Sequence, residues 1–319
     1  MTGFIRTAFT RYPMEIILAL LYIYLSFEAP GFFTVNNQLN VLRNITMQGI
    51  IAFGMTMVII SGEIDLSVGS GVALAGCVIA WICGEYTDAI GAPAAVIIGA
   101  VVAIAIQVTL GVLTGRVRQW FSVPTFITTL ALLTMLRGAA NLITGGFPLA
   151  TFPSWFTTLG SGFFYGVPIP VYVFVVVFAV THFIMKFTSF GRSVYAVGGN
   201  PEAARLSGIN IWFVKSATLG ITGALTAISG ILIAAQIGSG NATAASGWEL
   251  DVIAAVIIGG TSLFGGKGRI WGTFIGVLFL GFVVNGMTLL NVSEYWQYVV
   301  RGALILGAVL FNYVLEKLR

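Results

Sequence analysis

The sequence predicts an all-α integral membrane protein, and two features of its composition support that prediction. Hydrophobic residues make up 58% of the chain and charged residues only 8%, whereas about a quarter of the residues in a soluble domain are charged. Because each spanning segment must satisfy its own backbone hydrogen bonds in lipid, long apolar runs predict helices. We expect about ten transmembrane helices in a single domain over residues 1–319.

The apolar runs are distributed along the whole chain. They lie near residues 13–28, 45–61, 67–84, 93–115, 123–143, 168–187, 213–236, 250–262, 270–290 and 297–315. Several approach the ~20 residues that a helix needs to cross the hydrocarbon core. The first run resembles a signal peptide, but Glu28-Ala29-Pro30 is a poor cleavage site, so we interpret that run as the first helix.

The basic residues predict the orientation of the chain in the membrane. With the N-terminus inside, the predicted cytoplasmic side holds twelve of the 15 basic residues, namely Arg6, Arg11, Arg116, Arg118, Lys186, Arg192, Arg205, Lys215, Lys267, Arg269, Lys317 and Arg319. The predicted external connections carry Glu85, Asp88, Glu249 and Glu294 but no basic residue well clear of a helix. The positive-inside rule therefore predicts that both termini are cytoplasmic.

Residues that could support catalysis are scarce. Cys77 and Cys83 lie six residues apart in one apolar run and are interpreted as packing residues. His182 is the only histidine, so neither a metal site nor a histidine-based triad is expected. We predict a protein that is not an enzyme.

The predicted cytoplasmic loop at about 188–212 contains the clearest local signal in the chain. Residues 200–208 have the features of a short helix, with Asn200 as N-cap, Pro201 in the first turn, Glu202 at the positive end of the helix dipole and Gly208 past the end. A helix of two turns is unstable alone in water. It must therefore rest on the ends of its own transmembrane helices or on another protein.

Two glycine-rich turns are predicted at the cytoplasmic ends of helices. The first is Gly62-Glu63-Ile64-Asp65-Leu66-Ser67-Val68-Gly69-Ser70, in which Asp65 is expected to cap the next helix. The second, residues 259–269, superficially resembles a phosphate-binding loop, but Thr261 and Gly268 stand where that motif requires a glycine and a hydroxyl. The turn residues of interest are Asp65, Ser67, Gly69, Gly266 and Lys267.

Polar side chains within or beside the apolar runs are the candidates for a polar pathway, because a hydroxylated solute needs hydrogen-bonding partners inside the membrane. The candidates are Asn44, Gln48, Arg137, Asn141, Asn285 and Gln297. Residues of this kind more often serve helix packing or capping than a pathway. Arg137 is within reach of the outer surface, either as a snorkelling anchor or as part of the outer mouth of a pathway.

Three segments together resemble a known transporter family. They are Gly54 to Ser70, with Ile64-Asp65-Leu66-Ser67-Val68-Gly69-Ser70, then Gly198 to Ile209, and Gly259-Gly260-Thr261-Ser262-Leu263 with Gly265-Gly266-Lys267-Gly268. In residues, order and spacing, these segments resemble the ribose-type permease subunits of bacterial ATP-binding-cassette sugar importers, in the branched-chain amino acid/ribose/xylose permease family. Glu63 differs from the small residue that this family most often has before Ile-Asp-Leu-Ser.

The resemblance implies a bacterial inner-membrane permease that moves a sugar or sugar-like solute. It implies a second permease subunit, identical or related, a periplasmic sugar-binding protein and a separate cytoplasmic ATPase that holds ATP and Mg, with no cofactor in this chain and no nucleic-acid partner. Glu202, Ala203, Ala204 and Gly208 match the coupling-loop signature, so the capped helix, with Asn200, Pro201 and Arg205, would seat on the ATPase.

The main alternative is an ion-coupled secondary sugar transporter. Such proteins generally place ionisable residues near the bilayer midplane. Here the acidic residues are expected near the ends of the apolar runs, which argues against that alternative.

Overall fold

A computed structural model describes residues 13–317, with side chains described up to residue 310. Arg6, Arg11 and Arg319, which the orientation prediction uses, lie outside the described residues. Within the described chain the regular structure is helical apart from one β-hairpin, whose two strands have two residues each. Seven of the described helices are long and apolar enough to cross a membrane. The predicted all-α membrane class is confirmed.

Thirteen helices and two short strands follow one another along the described chain. They are α1 (Pro13–Glu28), α2 (Val35–Ile60), α3 (Val68–Ile90), α4 (Ala92–Phe121), α5 (Thr125–Thr144), α6 (Ser154–Ser161), β1 (Phe163–Phe164), β2 (Val167–Pro168), α7 (Ile169–Phe187), α8 (Ser189–Gly199), α9 (Pro201–Leu206), α10 (Ile211–Ile237), α11 (Trp248–Ile258), α12 (Ile270–Leu289) and α13 (Glu294–Lys317). Helix α2 begins ten residues before the predicted run at 45–61, because Thr34 caps it in a polar stretch that hydropathy alone does not mark.

Helices α2, α3 and α10 form the interior of the protein. In the most apolar part of α2 and of α3, 83% of the residues are buried, against 17% in α5 and 22% in α7. Helix α10 packs against α2, α3, α4 and α6. Most residues of α5 and α7 are therefore not buried within this chain, as expected for helices that face lipid or a partner subunit.

Glycines let α4 and α10 approach backbone to backbone. A Cβ at Gly111 would collide with the carbonyl of Leu219, and one at Gly223 would collide with the carbonyl of Gln107. Small residues of this kind allow close packing in membranes, where there is no hydrophobic drive between helices. A hydrogen bond of 2.6 Å between the hydroxyls of Thr56 and Thr273 similarly joins α2 to α12.

The connection between α2 and α3 is an extended segment that runs into the protein. Residues 63–67 have no regular secondary structure. Thr125 and Thr129 of α5 lie along the segment, and Thr129 Oγ1 accepts a hydrogen bond of 3.0 Å from the Leu66 N–H. Backbone without regular structure is tolerated inside a membrane protein where neighbouring side chains supply its hydrogen bonds.

The extended segment places the start of α3 deep in the fold. Gln107 of α4 donates to the Gly71 carbonyl at 2.9 Å, and Gln107 lies fourteen residues, or about 21 Å, before the end of α4 at Phe121. Asp65 is buried close to this level. The segment without regular structure therefore carries the Asp65 carboxylate into the protein.

A second irregular segment, residues 238–247, enters from the opposite end of α10 and leads into α11. Its start pairs with Leu149 through Gly240, and Arg137 donates to the carbonyls of Ala242 and Ala244. With 11 residues, α11 is about 16 Å long, which is too short to span the bilayer. The predicted span at 250–262 is therefore replaced by a half-helix that follows an irregular segment.

A buried carboxylate joins four helix ends at the side of the protein where α4 ends. Glu63 accepts hydrogen bonds of 2.5 Å from Lys215 of α10 and from Thr125 of α5, and Arg118 of α4 lies 3.5 Å away. Glu63 and Lys215 are both buried. Glu63, which differs from the small residue usual at this position, thus has two charged partners, Lys215 and Arg118.

We expect Glu63→Ala to destabilise the protein by about 3–5 kcal/mol, because it leaves the Lys215 ammonium buried without a counter-charge. Thermal unfolding of the purified protein in detergent measures this effect. The double variant Glu63→Ala, Lys215→Met should recover most of the lost stability. The control Glu202→Ala, which removes an exposed ion pair, should leave the melting temperature nearly unchanged. A double variant no more stable than Glu63→Ala alone would show that this pairing is not what stabilises the junction.

Candidate coupling face and solute cavity

The predicted short helix is present as α9, and its N-terminus is capped as the sequence predicts. The Asn200 side chain accepts a hydrogen bond of 3.0 Å from the Ala203 N–H, and Pro201 is the first helical residue. Glu202 in the first turn pairs with Arg205, and this hydrogen-bonded contact lowers the pKa of Glu202. The local sequence therefore specifies the start of this helix without help from the rest of the fold.

The C-terminus of α9 is closed by a Schellman motif. Gly208 has φ = +81°, its N–H donates to the Arg205 carbonyl, and the Ile209 N–H donates to the Ala204 carbonyl. Because a left-handed residue with a Cβ costs about 1–2 kcal/mol, glycine is the residue that suits position 208. The predicted role of Gly208 in ending the helix is confirmed.

Helix α9 rests on its own chain and presents its remaining faces to solvent. Ala204 is buried in the main core with Val194 and Val197 of α8, whereas Glu202, Arg205 and Leu206 are exposed. Sequence reasoning missed α8, an amphipathic helix that occupies most of the loop before α9. The signal was available, since the Thr188 side chain caps α8 by accepting from the Gly191 N–H.

The two glycine-rich turns and the end of α8 meet in one junction. The Gly266 N–H donates to the Ile60 carbonyl at 2.8 Å, and Tyr195 Oη donates to the Gly268 carbonyl at 2.9 Å. A Cβ at Gly198 would overlap the Ile60 carbonyl oxygen. The segment that carries α9 is therefore in direct backbone contact with the end of α2.

The predicted turn residues separate into two places. Gly266 and the exposed Lys267 lie at the junction. Asp65 does not cap α3 directly; it accepts from the N–H and the hydroxyl of Ser67 at 2.8 and 2.6 Å. Gly69 lies against the carbonyl of Ala245, in the segment before α11. The first motif, residues 62–70, therefore extends from the junction into the interior of the protein and does not form a single turn at the surface.

A cavity of about 350 Å³ lies between α2, α11, α12 and α13. Three of the six predicted pathway residues, Asn44, Gln48 and Asn285, line it. Asn44 and Gln48 share one face of α2 because they are four residues apart. The structure thus brings together polar residues that are distant in sequence around a space large enough for a small solute.

The innermost polar group of the cavity is an ion pair that sequence reasoning did not select. Asp251 Oδ2 accepts from Arg301 at 3.0 Å and from Gln48 Nε2 at 3.2 Å. Asn285 is held by reciprocal hydrogen bonds of 3.0 and 2.8 Å with Asn37. Asp251 and Arg301 lie fifty residues apart, so no local pattern indicated their pairing.

The other three predicted pathway residues lie outside the cavity. Arg137 holds the segment before α11 through two carbonyls, and Asn141 donates to the Arg137 carbonyl in its own helix. Gln297 donates to the Val292 carbonyl at the start of α13. In this structure these three side chains donate hydrogen bonds to backbone carbonyls. This arrangement corresponds to the packing and capping alternative for each of them.

Known proteins resemble this chain over nearly its whole length. The sequence model of the family described as "Branched-chain amino acid transport system / permease component" matches residues 37–309. The probable ABC transporter permease protein YphD of Escherichia coli (strain K12) is 42% identical over 302 residues, which cover 95% of this chain and 89% of the relative. No solved structure matches the chain significantly.

Two further relatives carry the names of sugars. The ribose import permease protein RbsC of Escherichia coli (strain K12) is 43% identical over 304 residues, covering 93% of this chain and 92% of the relative. The L-arabinose ABC transporter permease protein AraH of Azospirillum brasilense is 36% identical over 297 residues, covering 93% of this chain and 85% of the relative. The resemblance carried by the three motifs is confirmed, and this chain belongs to the family of permease components of branched-chain amino acid transport systems.

Proposed function

We propose that this chain is the membrane-spanning subunit of an ABC importer that carries a sugar or sugar-like solute into a bacterial cell. The observation that carries the proposal is the 43% identity to a ribose import permease over nearly the whole of both chains. An L-arabinose permease is related at a similar length. A soluble periplasmic binding protein would deliver the solute, and its own pocket would select the sugar.

Energy would come from a separate ATPase that holds ATP and Mg in the cytoplasm. The sequence of this chain lacks a phosphate-binding loop, because residues 259–269 do not meet the requirements of that motif. A second permease subunit, identical or related, would pair with this one through the exposed apolar helices. In this arrangement the permease contributes the path and the coupling surface, and the chemistry takes place on the partner.

The test of the function is solute uptake into vesicles that contain the permease, its ATPase and its binding protein. With ATP on the ATPase side and no ion gradient, we expect accumulation of labelled ribose or L-arabinose, with leucine as the comparison solute because of the family description. Uptake by the permease alone under an imposed proton or sodium gradient would favour the ion-coupled alternative. Preferential uptake of leucine would assign the chain to amino acids.

We further propose that the whole chain, 1–319, is one domain that crosses the membrane ten times with both termini in the cytoplasm. The irregular segment 238–247 and α11 would together form one crossing, as would 61–67 with α3. This arrangement places the loop at about 188–212, with α8 and α9, in the cytoplasm beside most of the basic residues, in agreement with the positive-inside rule.

Single cysteines report this orientation. Ser207 follows α9 and Ser293 lies between α12 and α13, and both are exposed. With Cys77 and Cys83 replaced by serine, an impermeant thiol reagent added to intact spheroplasts should label Ser293→Cys and spare Ser207→Cys. Permeabilised cells should label both, which is the control for reactivity. The opposite pattern in intact cells would reverse the proposed orientation.

We propose that α9 couples the ATPase to the permease. Its exposed face, which includes Glu202, Arg205 and the 77% exposed Leu206, is the surface that a partner would cover. Movement imposed on α9 would reach α2 through Gly198 and the Ile60 carbonyl, because the two backbones are packed there without a gap. Helix α2 continues from that contact to the cavity at Gln48.

The coupling role predicts a specific loss in two variants. Gly208→Val should disfavour the left-handed residue that ends α9, and Glu202→Lys should place two cations side by side. Both should reduce uptake at least about tenfold, the factor that corresponds to about 1.4 kcal/mol, while membrane abundance stays normal. Parallel assays of abundance, ATPase co-purification and sugar uptake measure this.

A matched control is Gly146→Val. Gly146 has φ = +82° and, like Gly208, has no neighbouring atom within 4 Å of the position that a Cβ would take, but it lies in the connection after α5. It should carry the same backbone cost without loss of ATPase binding. Normal uptake by both α9 variants would show that this segment is an ordinary connection.

A further inference from the structure

The polar groups of the cavity are arranged in a way that bears on which solutes can pass. Asp251 and Arg301 are the charged residues among those that line the cavity, and they form a contact of 3.0 Å. The lining therefore carries no net charge. An uncharged solute can enter without adding an unpaired charge. An ion would add its own unpaired charge to a site of low dielectric.

Hydrogen-bonding capacity remains open around this pair. Asp251 Oδ2 accepts from both Arg301 and Gln48, but Asp251 Oδ1 accepts no hydrogen bond from a described residue. The exposed side chain of Asn44 likewise makes no hydrogen bond within the described chain. The side chains of Arg301 and Asp251 are 27% and 16% exposed, so solute can reach them. A carboxylate, an amide and a guanidinium together both accept and donate.

Apolar groups complete the lining. The ring of Trp248 and the side chains of Val41, Ile45 and Val284 line the same cavity. A pentose has both characters, with hydroxyls along its edges and C–H groups on its faces. The charges of Asp251 and Arg301 already neutralise each other, so the cavity offers a zwitterionic amino acid no unpaired charge.

We propose that Gln48, Asp251 and Arg301 form a contact site for an uncharged polyhydroxylated solute at the inner end of the cavity. Asp251 Oδ1 accepts hydrogen bonds from solute hydroxyls, and Arg301 donates to them. This inference rests on the proposed sugar-import function and adds the residues that touch the solute. About 12 Å further along α2, the buried hydroxyls of Thr56 and Thr273 are hydrogen-bonded, so α2 and α12 are in direct contact beyond this site.

The experiment uses the complete transporter in vesicles, with saturating amounts of ribose-loaded binding protein so that recognition outside the membrane does not limit the rate. We expect Asp251→Asn, Arg301→Gln and the double variant each to lower maximal ribose uptake about tenfold, as expected for loss of a hydrogen bond to a charged group. ATP hydrolysis should continue, so the number of sugars moved per ATP should fall. Glu294→Gln, an exposed acid at the start of α13, is the control and should behave as the unmodified protein.

The double variant separates solute contact from a purely structural role. If the pair only neutralises itself and joins α11 to α13, removing both charges should restore uptake, and that result would overturn the inference. Gln48→Met leaves the ion pair intact and so remains informative if the charge variants fail to assemble. Normal uptake in Gln48→Met would also contradict the inference. If the unmodified transporter carries no sugar at all, the proposed function fails instead.

Discussion

Irregular backbone inside the membrane protein is possible here only because side chains supply the hydrogen bonds that lipid cannot. Thr129 lies along the extended segment before α3, and Arg137 binds two carbonyls of the segment before α11. The first turn of α3 meets the second segment where Gly69 lies against the Ala245 carbonyl. Because both are satisfied from within the protein, two helices can begin deep in the fold. The position of Asp251, and with it the polar end of the cavity, follows from this arrangement.

Helix α2 connects the cavity to the junction beside α9. One end of its buried length carries Asn44 and Gln48 in the cavity, and its other end accepts a hydrogen bond from Gly266 through the Ile60 carbonyl. Gly198, three residues before Pro201 of α9, presses on the same carbonyl. A rigid helix held at both places would link the surface that we propose for the ATPase at α9 to the cavity.

The parts that local chemistry determines could be predicted from the sequence. Asn200, Pro201 and Gly208 specify both ends of α9, since caps depend on atoms within a few residues. Three of the six pathway candidates line the cavity, and the other three donate to backbone carbonyls elsewhere. The hydrogen bonds from Arg137 to the segment before α11 could not be predicted, since their carbonyl acceptors lie more than a hundred residues away in sequence.

The sequence by itself determined the membrane class, the short capped helix, the glycine motifs and, through those motifs, the family. Composition and local spacing carry these properties, because lipid and backbone geometry act on each segment separately. Only the tertiary structure decided that Asp65 lies inside, that α11 is a half-helix, and that Asp251 meets Arg301 in a cavity. These properties depend on which helices pack together, and close packing is a property of pairs of segments that no single stretch of sequence contains.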